Sequence, residues 1–279
     1  AAESALKAIA HLQQVAETLA ADAARLVEDR PEDAAKENAA APPVPGQPNA
    51  TTTAVATPQK PATAPVIAPA LAKAVEQHRT VLFRRHVQAG RTELGRNNAL
   101  TAARELALAY VFDAQISVLF EVGQACRRAD LDIEALTIFQ RLEAMELSAG
   151  AHQITRDELT ALRFKVEDPE IRQAQNLREH IEQAKQAFQK GRYELAIREY
   201  ALAHALKPLP RLMFNIAQAY RRANRAEEAY IFYARFLESE PQTPVRAEVQ
   251  GYLRELRKEA FLPPVYKRAW FWGVLGASA

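Results

Sequence analysis

The chain of 279 residues has one cysteine, Cys126, and only nine glycines. A single cysteine excludes an intramolecular disulfide framework and any cysteine-rich metal site. No glycine-rich phosphate loop and no Gly-x-Ser-x-Gly turn occurs. The six histidines form no His-Glu-x-x-His run and no pair at helical ligand spacing. An excess of one charge is also missing: 36 Lys and Arg stand against 34 Asp and Glu, a net of +2. Such balance gives no concentrated basic surface for a phosphate backbone, so nucleic acid is not expected as a partner. No cofactor or metal is implied, and the residues offer catalysis no foothold.

What is abundant favours helix. The chain is 48% hydrophobic, with alanine supplying much of that, and 25% charged. Ala, Leu, Glu, Arg, Lys and Gln lose little on entering a helix, so an all-α fold is expected. Residues 1–31 predict an N-terminal helix, because Leu12, Leu19 and Leu26 lie seven apart with Ala5, Ile9, Ala16 and Ala23 on or beside the same stripe. That stripe suits either packing within the chain or a short coiled coil that would make a homo-oligomer. Residues 32–70 read as a disordered Pro/Ala/Thr linker. Eight of the sixteen prolines lie between Pro42 and Pro69, where Lys60 is the only charged residue. Each proline removes a backbone donor and fixes φ, which predicts a semi-extended spacer without a core.

From residue 71 the sequence repeats itself at a shift of 94. Leu119-Phe120-Glu121-Val122-Gly123-Gln124-Ala125-Cys126-Arg127-Arg128 falls on Met213-Phe214-Asn215-Ile216-Ala217-Gln218-Ala219-Tyr220-Arg221-Arg222. The register extends back through Arg104-Glu105 on Arg198-Glu199 and His86 on His180, and forward through Arg141 on Arg235 and Leu162 on Leu256. Chance would not hold this register over five helices, which marks an internal duplication into units 71–167 and 168–262. Helices are expected near 74–94, 98–111, 116–129, 132–145 and 156–166, and near 170–190, 192–206, 211–223, 226–239 and 245–260. Asp168-Pro169 and Thr243-Pro244 each place a capping residue before a proline at the first helical position, and Thr155 to Glu158 reads as a capping box. The fifth helix of each unit is expected to cover the end of its stack. His86 and His180 read as packing positions shared through the duplication, and Cys126 as a residue packed inside its hairpin.

Within each unit a shorter period of 33 appears. Met213, Ile216-Ala217, Tyr220, Ala229, Tyr233 and Pro241 meet the spacing of the tetratricopeptide repeat, as do Leu119, Val122-Gly123, Cys126, Ala135 and Phe139 in the first unit. Ala184, Gly191, Ala196, Tyr200 and Pro208, with Gly90, Ala102 and Leu106, give the preceding repeats. The chain thus resembles that family, which implies tandem helical hairpins stacked as an α-solenoid, with small residues letting paired helices approach closely. The resemblance also implies a groove lined by the first helix of each hairpin. The family's contact positions fall on Arg178, Lys185, Arg211, Phe214, Asn215, Gln218, Arg221 and Arg222, and in the first unit on Arg84, Arg91, Phe120, Gln124, Arg127 and Arg128. This set is mostly basic. It suits another protein's acidic peptide or C-terminal carboxylate, although the Lys/Asn pattern of the family's carboxylate clamps is not reproduced.

Residues 263–279 resemble the juxtamembrane run of bacterial envelope tetratricopeptide proteins of the myxobacterial type. Tyr266, Trp270, Phe271 and Trp272 favour the headgroup level, while Lys267 and Arg268 reach phosphates. The apolar run that follows is shorter than the twenty or so residues of a span, so a truncated transmembrane anchor is expected. The resemblance implies an envelope scaffold on the periplasmic side of the inner membrane, of a secretion or motility kind. The alternative is a soluble adaptor or chaperone-like regulator, with the cytoplasm as its place.

Overall fold

A computed structural model describes residues 69–261. Among the described residues the chain is all-α, an array of helical repeats with ten helices and no strand. The first unit comprises α1 (Pro69–Gly95), α2 (Ala99–Phe112), α3 (Ile116–Arg128), α4 (Asp132–Glu143) and α5 (Ala149–Arg163). The second comprises α6 (Pro169–Gln189), α7 (Tyr193–Leu206), α8 (Pro210–Arg222), α9 (Ala226–Ser239) and α10 (Arg246–Ala260). The N-terminal helix of 1–31, the linker up to residue 68 and the aromatic tail lie outside the described residues.

Each hairpin turns through one residue in the left-handed region: Asn97, Asp130, Gly191 and Asn224, at φ 63°, 57°, 71° and 58°. Asn, Asp and Gly tolerate that conformation, and they recur here at spacings of 33 and 94. The following amide then reaches back to the helix just ended, as Asn98 to Glu93 O, Leu131 to Cys126 O, Arg192 to Ala187 O and Arg225 to Tyr220 O, all at 2.8–3.0 Å. This is the long bond of a Schellman turn, and it satisfies carbonyls the helix end would orphan. The hairpins close over small residues: a Cβ on Gly90 would meet Leu106 Cγ at 2.6 Å, and one on Gly123 would meet Phe139 Cζ at 3.1 Å.

Three helix starts differ from expectation. Helix α5 begins seven residues early, capped by Ser148 Oγ, which accepts from the Ala151 amide at 3.4 Å. Thr155, read as a cap, is buried inside that helix and faces the core. Thr243-Pro244 lies in the turn before α10, whose N-cap is Val245. Pro169 does occupy the first position of α6, but Asp168 before it is left-handed and makes no side-chain cap bond. Helix α1 starts at Pro69, two residues inside the range assigned to the linker.

The arrangement of the units departs from an open stack. Helices α2 and α7 are buried on nearly every side, and a helix apolar all round must sit inside a core. They pack on each other and so bring the two units face to face. Around that crossing α4 packs on α6 and α9 packs on α1. The 94-residue shift carries each of these contacts onto the other, so the molecule has an internal pseudo-two-fold axis. In a simple solenoid each repeat touches only its neighbours, whereas here α1 meets α9.

Polar side chains seal this contact reciprocally. Arg104 pairs with Glu199, and Arg198 with Glu105 at 2.9 Å. Arg141 donates to the Ala205 carbonyl, and Arg235 to the carbonyls of Val111 and Phe112. His86 Nδ1 lies 2.8 Å from Glu105, and His180 Nδ1 2.8 Å from Glu199. The symmetry breaks at the other ring nitrogen. His180 Nε2 lies 3.1 Å from Glu134, which also accepts from Asn176 at 3.0 Å, while His86 Nε2 is buried with no hydrogen-bond partner. The residue equivalent to Glu134 is Glu228, and it is drawn to Arg225 at 2.5 Å. Leu131 stands in place of Arg225 in the first unit, so Glu134 has no such competitor there.

Candidate interaction site

The first helices of the hairpins, α1, α3, α6 and α8, carry the expected contact positions, with α5 and α10 completing each unit's face. In the first unit those positions are joined to acids. Arg91 makes a forked pair with Glu121, Nε at 2.8 Å and Nη2 at 2.6 Å, linking α1 to α3. The hydrogen bond to Glu121 raises the Arg91 pKa above its usual value. Arg127 Nε reaches Glu158 at 3.0 Å, linking α3 to α5, and its Nη1 reaches Asp132 at 2.7 Å. Lys165 adds a second cation to Asp132 at 3.4 Å. Arg84 is exposed, and Gln124 and Phe120 are half-buried, the ring of Phe120 edge-on to Phe139. Arg128 is exposed on an open cleft of about 320 Å³ that it lines with Asn97, Asn98 and Asp130.

In the second unit the same geometry carries different chemistry. Asn215 replaces Glu121, Tyr252 replaces Glu158 and Ala226 replaces Asp132. The Arg221 guanidinium accordingly lies over the Tyr252 ring, 4.2 Å from its centroid, where Arg127 has a carboxylate. Helix α8 holds Arg211, Arg221 and Arg222 and no acid. The nearby acids are Glu182, 3.3 Å from Lys185, and Glu248, which accepts from the Tyr252 hydroxyl. Arg178 is exposed; Lys185, Asn215, Arg221 and Arg222 are half-buried.

Two positions expected to line the groove belong to the core. Phe214 is 1% exposed, packed on Tyr233 and Phe236, and Gln218 is buried. Arg211 is buried as well, its guanidinium 4.4 Å from the Phe214 centroid. Contact on this face therefore falls to Arg178, Lys185, Asn215, Arg221 and Arg222. Sequence reasoning missed the acids Glu121, Asp132 and Glu158 and the aromatic Tyr252. Their signal lay in the self-alignment, where charged residues of one unit face neutral residues of the other.

Other reactive groups are buried. Burial pushes the Cys126 thiol far above its ordinary range, so it stays protonated. Among the described residues no group of His, Cys, Asp and Glu is arranged to hold a metal ion, and no helix is long and apolar enough to cross a membrane. Compared with known proteins, the chain matches no family model and no curated protein.

Proposed function

We propose that this chain is a non-catalytic scaffold of the tetratricopeptide type that captures an acidic segment of another protein on the α6–α8–α10 face. The observation behind this reading is the exchange of Glu121, Glu158 and Asp132 for Asn215, Tyr252 and Ala226 beside a pair of arginines that both units keep, Arg127-Arg128 and Arg221-Arg222. Among the contact positions and their acids, the second unit sets Arg178, Lys185, Arg211, Arg221 and Arg222 against Glu182 and Glu248. The first sets Arg84, Arg91, Arg127 and Arg128 against Glu121, Asp132 and Glu158. The balance is +3 against +1. Guanidinium groups give forked, charge-assisted bonds to carboxylates, which fits an acidic peptide. A hexaglutamate peptide titrated against the protein tests this. The Arg221→Ala/Arg222→Ala variant should lose about 1–3 kcal/mol of binding per charged hydrogen bond removed, with circular dichroism unchanged. Equal affinity in the two proteins would refute the site.

Tyr266 to Trp272 supports the further reading that the scaffold is anchored in a bacterial envelope, on its periplasmic side. Fractionation of the natural full-length protein tests it, and recovery in the soluble fraction would leave the second reading, a soluble adaptor that uses the same basic face.

A further inference from the structure

The basic face has a complementary segment within its own chain. Residues 28–37, Glu28-Asp29-Arg30-Pro31-Glu32-Asp33-Ala34-Ala35-Lys36-Glu37, carry five acids against two cations. They precede the described helices by residues 38–68, in which Lys60 is the only charged residue. We propose that this acidic segment docks in cis on the α6–α8–α10 face and competes with the acidic partner for it. The inference rests on the reading of that face given above.

Length and charge both bear on this. A coil of about thirty residues has a root-mean-square span of roughly 30 Å, and an extended proline-rich one reaches on the order of 100 Å, so either face lies within reach of the tether. Reach does not choose between the faces; charge does. On the first unit the segment would meet Glu121, Asp132 and Glu158, which already hold Arg91 and Arg127. On the second it meets Asn215, Tyr252 and Ala226 at those places. A tether of this length holds its end at millimolar effective concentration, so even a weak ionic contact is occupied in the free protein. Screening at 1 M salt, where the Debye length is about 3 Å, should release it.

The lone cysteine makes a direct test available. Cys126 is fully buried, so a nitroxide maleimide on an Ala34→Cys variant labels position 34 selectively. Amide signals near Arg178 and Arg222 should broaden, those near Arg84 and Arg128 should not, and 1 M salt should abolish the effect. Broadening equal on both faces, or absent, overturns the proposal. So does broadening that appears only when a labelled chain is mixed with a separate isotope-enriched chain, because the segment would then be bound by a second copy. Hexaglutamate should also bind several-fold tighter to a chain with Glu28, Asp29, Glu32, Asp33 and Glu37 changed to their amides. If it binds that variant and the parent equally, the cis contact is wrong and the acidic-partner reading stands. If it binds neither, the partner reading itself fails.

Discussion

Gly90 and Gly123 occupy equivalent places one repeat apart, yet the space beside them differs. At Gly90 the missing Cβ would sit 2.6 Å from Leu106 Cγ, a branch atom that cannot swing aside, with the Ala102 carbonyl at 3.3 Å. At Gly123 the nearest atoms are side-chain carbons at 3.1–3.3 Å, and the second unit has Ala217 at the same position. Alanine in a helix gains about 1 kcal/mol over glycine, whereas overpacking costs about 1–3 kcal/mol. Gly123→Ala should therefore be close to neutral, and Gly90→Ala should lower the unfolding free energy by about 1–2 kcal/mol in urea titrations. Equal effects would show that the Leu106 contact does not decide the approach of α1 to α2. The need for small residues here was legible from spacing alone. The burial of Phe214 and Gln218 was not, because spacing places a residue on a helix but does not report the neighbouring rings of Tyr233 and Phe236 that close over it.

At the scale of elements, periodicity located the helices well, and local motifs misled where packing overrode them. Helices α2 and α7, and likewise α3 and α8, begin and end 94 residues apart. Thr155 to Glu158 looked like a start because a capping box and a turn of helix share a pattern; Thr155, Leu159 and Leu162 instead run as one buried stripe from a helix begun at Ala149. The α4–α6 seam offers a sharper test. Burial disfavours a charged His180, but hydrogen bonds to Glu134 and Glu199 outweigh it and raise its pKa to about 9. Burial likewise opposes charge on Glu134 and Glu199, and His180, with Asn176 at the first and Arg104 at the second, holds both carboxyls below their usual values. A histidine whose pKa is raised by folding stabilises fully below its unfolded value near 6.5 and loses that contribution as pH rises through 9. Unfolding free energy should thus fall between about pH 7 and 10 by at most about 3 kcal/mol more in the parent than in His180→Gln. Parallel pH profiles would show that the clamp contributes nothing. The opposite sign holds at His204, where burial and then Arg235 and Arg141 lower the pKa to about 4. Its contribution is present above pH 6.5 and should be lost as pH falls towards 4, a slope that His204→Gln removes.

At the scale of the whole molecule, the crossing of α2 and α7 joins the two units, and this consequence of the duplication was not visible in the alignment. Repetition at a fixed shift says that two units are alike; it does not say whether they stack end to end or face each other. The distinction rests on the alanine content of α2 and α7, where Ala102, Ala107 and Ala109 and their equivalents Ala196, Ala201 and Ala203 are all buried. End-to-end repeats unfold approximately as a sum of local terms, so their parts can open separately. Two units sharing one core should not, since opening either exposes the other's α2 or α7 surface together with Arg104, Glu105, Arg198 and Glu199. Amides of α2 and α7 should accordingly exchange with the same, largest free energy in native-state hydrogen exchange. Removing one reciprocal pair with Arg104→Ala leaves Glu199, 1% exposed, without that cation, a change on the order of 3 kcal/mol for a buried pair. The loss should appear equally in the slowest amides of both units, although the substituted residue lies only in the first. Faster exchange confined to residues 69–163 would mean that the units open independently and that the α2–α7 contact is a docking of two separate bodies.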